Sequence, residues 1–188
     1  MTSWISAGLA TGGRGKAFAC SLRRKERNAA QEDELQSFKR AERQVLQYPH
    51  FTIFDSVQAQ VDGSVVTLTG KVTMPYKRID IERRVARAEG VTAVRNRIEV
   101  LPVSRFDDDL RFRISRAIYG NPNFRHYGSM VNPPIHIVVE RGRVTLEGVV
   151  NNETDRLIAR AIAGQFASFS ITSELKTVAE AKAELEKL

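Results

Sequence analysis

An internal repeat constrains the fold of this chain more than any other feature of its sequence. Residues 66–72 align with residues 144–150 at an offset of 78 residues, and five of the seven positions are identical. The similarity extends upstream, where residues 60–63 match residues 138–142 if the second turn is given one additional residue. A duplicated unit of about 70 residues is the simplest explanation, and two such units fit within a chain of 188 residues.

Each unit is predicted to contain a helix, two strands, a second helix and a final strand. Apolar residues recur at helical spacing in the first helix and alternate with polar residues in the two strands that follow. Tight turns are expected at Asp62-Gly63 and at Arg141-Gly142. Residues 93–100 and 170–177 are predicted to be the final strands.

The order of these elements predicts an α+β fold. A crossover from strand to helix to parallel strand has a strongly preferred hand, so two helices should cover one face of a three-stranded mixed sheet in each unit. Asp107 to Asp109 suit the capped start of a helix better than a cation site. The predicted organisation is a flexible basic arm (1–32), a first domain (33–101), a linker (102–106), a second domain (107–177) and a C-terminal amphipathic helix (178–188).

Glycines at matching positions of the two units are predicted to be structural. Gly70 and Gly148 fall inside strands, where glycine is unfavourable unless the strand bulges or another backbone approaches closely. The full set assigned a structural role is Gly63, Gly70, Gly90, Gly142 and Gly148.

The positive charge is concentrated in the N-terminal arm. Residues 1–32 carry six basic and two acidic side chains, which is more than half of the net charge of +7. Arg23, Arg24, Lys25 and Arg27 form a cluster that would be attracted to any polyanion, whether phospholipid or nucleic acid. The alternative is a solvated basic tail without a dedicated partner.

Several classes of protein are disfavoured by the sequence. No apolar run approaches the roughly 20 residues of a membrane-spanning helix, and the single cysteine, Cys20, allows no internal disulfide. His50, His126 and His136 lack the spacing of zinc ligands, and no serine stands in a nucleophile elbow. We therefore expect neither a metal nor another cofactor, and we expect no enzymatic activity.

The two units resemble the BON domain, a family of bacterial osmotic-stress and nodulation modules. The resemblance rests on residues 61–72, on Ala86 and Ala88, and on residues 90–98. The second copy keeps residues 144–150, whereas residues 168–175 replace the Gly-Val and Val-x-Asn signature of the first copy. The resemblance implies a non-enzymatic module, often in tandem and often periplasmic or envelope-associated, that contacts phospholipid surfaces.

Two surfaces are candidates for contact with lipid or another polyanion. The first is the solvent side of the second helix of the first unit, where basic side chains are crowded. The alternative is a solvated face with pairs such as Asp80 with Arg83 or Arg84. The second is the connection from Tyr119 to Met130, whose aromatic residues would otherwise pack down to close the end of the domain. The candidate residues are Lys77, Arg78, Arg83, Arg84, Arg87, Tyr119, Phe124, Arg125 and Tyr127.

The sequence leaves the partner and the compartment open. The main expectation is peripheral contact with anionic phospholipid, and the first rival is a protein partner or homo-oligomer formed through sheet edges or the C-terminal helix. Nucleic-acid binding is the second rival, although no RNA-recognition or helix-turn-helix signature supports it. The N-terminus is a poor signal peptide as written, which keeps a cytoplasmic location as the alternative, and small residues before Cys20 make that residue a weak lipidation candidate.

Overall fold

A computed structural model of the chain describes residues 36–185. The first domain comprises α1 (36–46), β1 (Ser56–Asp62), β2 (Val65–Val72), α2 (Pro75–Val85) and β3 (Ala93–Val100). The second domain comprises α3 (Arg105–Gly120), a short 3-10 turn (Pro122–Phe124), α4 (Arg125–Gly128), β4 (Ile135–Glu140), β5 (Arg143–Val150), α5 (Glu153–Ala163) and β6 (Ser170–Thr177). The last described helix is α6 (Val178–Leu185).

Each domain is built on a three-stranded mixed sheet with the second strand in the centre. The strand orders are β1-β2-β3 and β4-β5-β6. In each sheet the first strand is antiparallel to the central strand and the last strand is parallel to it. The predicted α+β fold is confirmed, and β3 and β6 begin and end where the sequence placed them.

The prediction of one additional residue in the second turn is wrong. Asp62 pairs with Val65 and Glu140 pairs with Arg143, so both hairpins have loops of the same length. Glycine occupies the first position of the first loop, as Gly63, and the second position of the second loop, as Gly142. The two units differ in length elsewhere. The first paired residue of β3 is Ala93 and that of β6 is Ser170, so the offset between equivalent residues falls from 78 to 77 and the second unit is one residue shorter between α5 and β6.

The second hairpin turn is held by the N-terminal part of α3. Arg141 and Gly142 both adopt positive φ angles, 51° and 73°, as a type I′ turn requires. The buried Asp107 carboxylate accepts hydrogen bonds from both of their amides, at 2.8 and 2.7 Å. Helix α3 itself begins two residues earlier than predicted, because the Ser104 side chain caps it by accepting a bond from the Asp107 amide.

Close backbone approaches surround the two strand glycines. Gly70 and Gly148 both have a φ angle of 120°, which side chains rarely adopt. A Cβ atom at Gly70 would collide with the carbonyl oxygen of Ser56, and one at Gly148 would collide with that of Pro134. Glycine is needed at both positions because the neighbouring backbone approaches too closely for any side chain.

The apolar face of each sheet packs against helices to form a separate core. In the first domain, Leu68 on β2 is fully buried with Ile81 and Val85 on α2. In the second domain, Leu146 on β5 is buried with Ile114 on α3. Each repeat is therefore a compact unit with its own apolar core.

The chain between α1 and β1 contacts the second domain directly. The Ile137 amide of β4 donates a 2.7 Å hydrogen bond to the carbonyl oxygen of Ile53. The Phe54 and Phe112 rings meet edge to face, with 4.9 Å between centroids. Lys71 forms an ion pair with Glu140 across the same junction. The two domains are thus joined by backbone, aromatic and charged contacts.

Candidate anion-binding site

A basic cleft lies between α2 and the turn that follows α1. Its volume is about 350 Å³, and its lining residues are Tyr48, Pro49, His50, Asp80, Arg83, Arg84 and Arg87. Helix α2 begins with Pro75, whose fixed φ and missing amide proton suit a first helical position. Because Ile81 and Val85 are buried in the core, the opposite side of the helix carries its arginines toward solvent.

Tyr48 organises one wall of the cleft. Its side chain is buried, and its hydroxyl donates a 2.8 Å hydrogen bond to Asp80 Oδ2. The Arg84 guanidinium carbon lies 5.1 Å from the centre of the Tyr48 ring, which is cation–π distance. Burial and then the bond to Asp80 raise the pKa of Tyr48, so its hydroxyl stays protonated and continues to donate.

The arginines of the cleft are not neutralised by neighbouring acids. Asp80 accepts its hydrogen bond from Tyr48, and the ion pairs of Asp80 with Arg83 or Arg84 that the sequence allowed are not formed. Within residues 36–185, Arg83, Arg84 and Arg87 have no ion-pair partner. Among the described residues, the cleft therefore gathers three guanidinium groups and one carboxylate.

Aromatic side chains flank the arginines. The His50 ring meets Tyr48 edge to face at 5.6 Å and Tyr76 at 6.0 Å, and Tyr76 is about half exposed. Guanidinium groups bind phosphate or carboxylate oxygens through paired N–H donors. The three arginines were predicted as contact residues from the sequence, whereas Tyr48, His50 and Asp80 were not, although the aromatic residues next to His50 after α1 were a usable signal.

Lys77 does not belong to this exposed surface, contrary to prediction. It is 3% exposed, and its Nζ atom lies 2.6 Å from Oδ2 of Asp55, which is fully buried. Asp55 also accepts hydrogen bonds from the amides and hydroxyls of Thr52 and Thr73. Burial alone would raise the pKa of Asp55, but the hydrogen bonds from Lys77, Thr52 and Thr73 hold it below its ordinary value. Lys77 is an internal ion-pair partner that anchors α2 to the loop before β1.

The aromatic loop of the second domain follows the alternative that the sequence allowed, in which its rings pack down onto the domain. Phe124 and Tyr127 are buried in the second core, and the Tyr127 hydroxyl donates to Asp155 at 2.7 Å. Burial is the main reason that the pKa of Tyr127 is raised to about 12. The Tyr119 hydroxyl bonds to both backbone groups of Ile135. These aromatic residues close the end of the domain, and of the four candidates in this loop Arg125 alone is exposed.

The remaining candidate residues divide into two groups. Arg78 is exposed on α2 but does not line the cleft. Arg23, Arg24, Lys25, Arg27 and Cys20 lie outside the described residues.

Neither a metal centre nor a membrane-spanning helix is found in the part of the chain that the structure describes. No three acidic, histidine or cysteine side chains in residues 36–185 are grouped to hold a metal ion. Of the histidines, His50 lines the cleft, whereas the His136 ring lies 5.4 Å from that of Phe51. No helix in the same range is long and apolar enough to cross a bilayer.

The fold places this chain among tandem-repeat proteins that are built from small α+β domains. The model of the BON domain family matches residues 40–102 and again residues 106–178. The chain therefore belongs to the BON domain family and contains two tandem copies, as its sequence predicted.

The chain was compared with curated protein sequences and with solved structures. No curated protein sequence matches this chain at a significant level. Two solved structures of CdsD, a structural protein of the type III secretion system of Chlamydia trachomatis, are similar to it. One, of the C-terminal domain, is 10% identical, with a TM-score of 0.26 and coverage of 74% of this chain and 96% of that chain. The other is 11% identical, with a TM-score of 0.27 and coverage of 79% and 96%.

Proposed function

We propose that this protein is a non-enzymatic binding module that contacts anionic phospholipid surfaces. In this proposal the cleft beside α2 receives lipid phosphate groups, and the basic arm adds attraction that is independent of the cleft. The observation that carries the proposal is that Arg83, Arg84 and Arg87 surround one cleft and have no ion-pair partner within residues 36–185.

Charge and shape both support this assignment. A basic residue near an anionic membrane surface contributes about 1 kcal/mol of attraction at moderate salt. Three clustered arginines would therefore give measurable binding, and the half-exposed Tyr76 is an amphipathic ring of the type found at headgroup level. Arg78 and Arg125, both exposed, would add to the attraction without belonging to the cleft.

The proposed location is the bacterial envelope or periplasm, which the properties of the BON family favour. In the alternative, cytoplasmic location, the same basic cleft and arm would meet nucleic acid as the most abundant polyanion. The two cases predict different responses to competitor RNA, so one binding assay separates them.

The test is cosedimentation of the full chain with neutral and with anionic liposomes over a series of salt concentrations. We expect binding that requires anionic lipid, weakens with salt and survives competitor RNA. The triple variant Arg83→Gln, Arg84→Gln, Arg87→Gln should bind at least tenfold more weakly, given about 1 kcal/mol for each charge removed. A chain that begins at Gln31 should retain the dependence on the cleft.

A matched triple variant controls for charge. Arg43, Arg105 and Arg116 are exposed and lie outside the cleft and outside the strands, so their replacement by Gln removes the same charge. Equal losses in the two triple variants would mean diffuse attraction of a basic protein and would overturn the cleft assignment. Absence of binding to anionic liposomes at physiological salt would overturn the lipid proposal itself.

A further inference from the structure

The two sheets present four edge strands, and these edges differ in how their backbone groups are satisfied. The edge strands are β1, β3, β4 and β6. An edge strand exposes a row of unpaired amides and carbonyls that can pair with another chain, and proteins commonly block such edges with side chains, loops or charge. Because the two repeats share one fold, comparison of equivalent edge strands shows which edge lacks protection.

The outer edge of β4 is blocked along its whole length. The Tyr119 hydroxyl donates to the Ile135 carbonyl at 2.6 Å and accepts from the Ile135 amide at 3.2 Å. The Ile137 amide donates to the Ile53 carbonyl, and Arg111 donates to the Val139 carbonyl at 3.1 Å. Every second residue of β4 thus has an outward backbone group that is already bonded within the chain.

The edges formed by β3 and β6 are protected by other means. The Asn96 side chain accepts a 3.0 Å bond from the Ile98 amide, and Arg95, Arg97 and Glu99 place charges along β3. On β6, Arg156 donates to the Leu175 carbonyl at 3.3 Å, and Glu174 and Lys176 are charged. Charged side chains disfavour pairing with a further strand.

The edge of β1 carries none of these devices. Val57 pairs with Gly70 as Ile135 pairs with Gly148, so Val57, Ala59 and Val61 are the residues whose backbone groups point away from β2. Within residues 36–185, no group hydrogen-bonds to those outward amides and carbonyls. β1 has no charged residue from Ser56 to Val61.

We propose that two copies of this protein associate through their β1 edges, which pair antiparallel about a two-fold axis at Ala59. In this arrangement Ala59 lies opposite Ala59 of the second copy, and Val57 lies opposite its Val61. Each outward amide and carbonyl of these residues gains a partner, and the two three-stranded sheets become one continuous sheet.

The sequence of β1 favours a second copy over an unrelated strand. On one face the pairing aligns Val57, Ala59 and Val61 with their counterparts, and these residues already pack against the first core. On the other face Gln58 meets Gln60; both are neutral and exposed, and Gln58 also donates a 3.4 Å hydrogen bond to Glu147 of its own chain. The single charged residue, Asp62, meets Ser56, so the two-fold pairing brings no like charges together.

The test is the mass of the full chain in solution, measured by light scattering during size-exclusion chromatography over a range of concentrations. We expect a dimer. Ala59→Pro removes an outward amide that β2 does not use, and edge strands tolerate proline for this reason. We expect this variant to be monomeric while it keeps the circular dichroism spectrum of the folded protein.

Charged variants provide a test that does not depend on proline. The double variant Gln58→Lys, Gln60→Lys and the double variant Gln58→Glu, Gln60→Glu should each be monomeric, because like charges meet across the axis. A mixture of the two should form the dimer again. Thr69→Lys, on the central strand beside Gln58, adds charge to the same sheet face away from the edge and should remain dimeric.

The outcomes decide the proposal. A wild-type chain that is monomeric at every concentration overturns it. So does a dimer whose mass is unchanged by Ala59→Pro and by both charged double variants, and so does a mixture of those double variants that stays monomeric.

Discussion

The Tyr48 hydroxyl donates a 2.8 Å hydrogen bond to Asp80, the only acidic residue within 36–185 that lines the basic cleft of the first domain. The Asp80 carboxylate accepts this bond, and neither Arg83 nor Arg84 forms an ion pair with it. Tyr48 therefore fixes the position of this carboxylate beside the arginines without changing its charge.

Replacement of Asp80 should strengthen binding to anionic vesicles. Asp80→Asn removes the negative charge that Asp80 brings to the cleft and keeps an acceptor for Tyr48, so we expect affinity to rise about fivefold, equivalent to about 1 kcal/mol. Cosedimentation with anionic liposomes measures this change. Asp62→Asn removes the same charge from an exposed position outside the cleft and should have a smaller effect. An equal gain in both variants would contradict a local role for Asp80.

Loss of Lys77 should destabilise the first domain. Lys77→Met leaves the Asp55 carboxylate buried without its charged partner, which typically costs about 3–5 kcal/mol. Denaturant unfolding measures the loss, and Lys39→Met, at an exposed position, should have little effect. The double variant Asp55→Asn, Lys77→Met should be more stable than Lys77→Met alone, because it buries no unpaired charge.

The same ion pair predicts how stability depends on pH. The pKa of Asp55 is lower in the folded protein than its ordinary value of 3.8. Its contribution is therefore fully present above that value and is lost as the pH falls through the lower folded pKa. We expect the stability difference between wild type and Lys77→Met to shrink when unfolding is measured below about pH 4. A difference that is constant down to strongly acidic pH would contradict this role of the pair.

Removal of the Tyr119 hydroxyl should weaken the second domain. Tyr119→Phe leaves the Ile135 amide and carbonyl without the hydroxyl to which both bond. Unsatisfied buried polar groups cost about 1–3 kcal/mol each, so we expect a loss in that range or slightly above it in thermal or denaturant unfolding. Tyr76→Phe is the matched control because the Tyr76 side chain is about half exposed. A stable Tyr119→Phe variant would show that water satisfies the edge.

The close approaches at the strand glycines predict large effects of a single methyl group. Gly70→Ala and Gly148→Ala force both an unfavourable φ angle and a collision with backbone carbonyls, so each should cost about 3 kcal/mol. Gly120→Ala should be close to neutral, because a Cβ there meets no atom within 4 Å and the φ angle is not positive. Thermal unfolding of the three variants compares them directly.

The fold was predictable because the repeat and the alternation of apolar residues recur in both copies. The position of Lys77 was missed for a specific reason: it lies four residues before Ile81 and eight before Val85, on the apolar stripe of α2, and its partner Asp55 is distant in sequence. For Phe124 the sequence allowed both a contact role and core packing, because composition alone does not distinguish a ring that binds from one that fills a core, and the structure shows it buried.

The cleft was only half predictable. Helical spacing places Arg83 and Arg87 on the solvent side of α2, and this spacing is visible in the sequence. The partnership of Tyr48 with Asp80 joins residues 32 positions apart through packing of the chain after α1 against α2. Contacts of this kind depend on tertiary structure and leave no local pattern.

The hydrogen bond between Ile53 and Ile137 means that the two repeats of this protein are not structurally independent. The outer edge of β4 in the second repeat is protected partly by a chain segment of the first repeat. Separation of the two repeats would also remove Phe54 from its contact with Phe112. An isolated second repeat would expose a backbone amide and an aromatic ring that are covered in the intact chain. Dissection into single modules would thus create an adhesive surface that the parent molecule does not have.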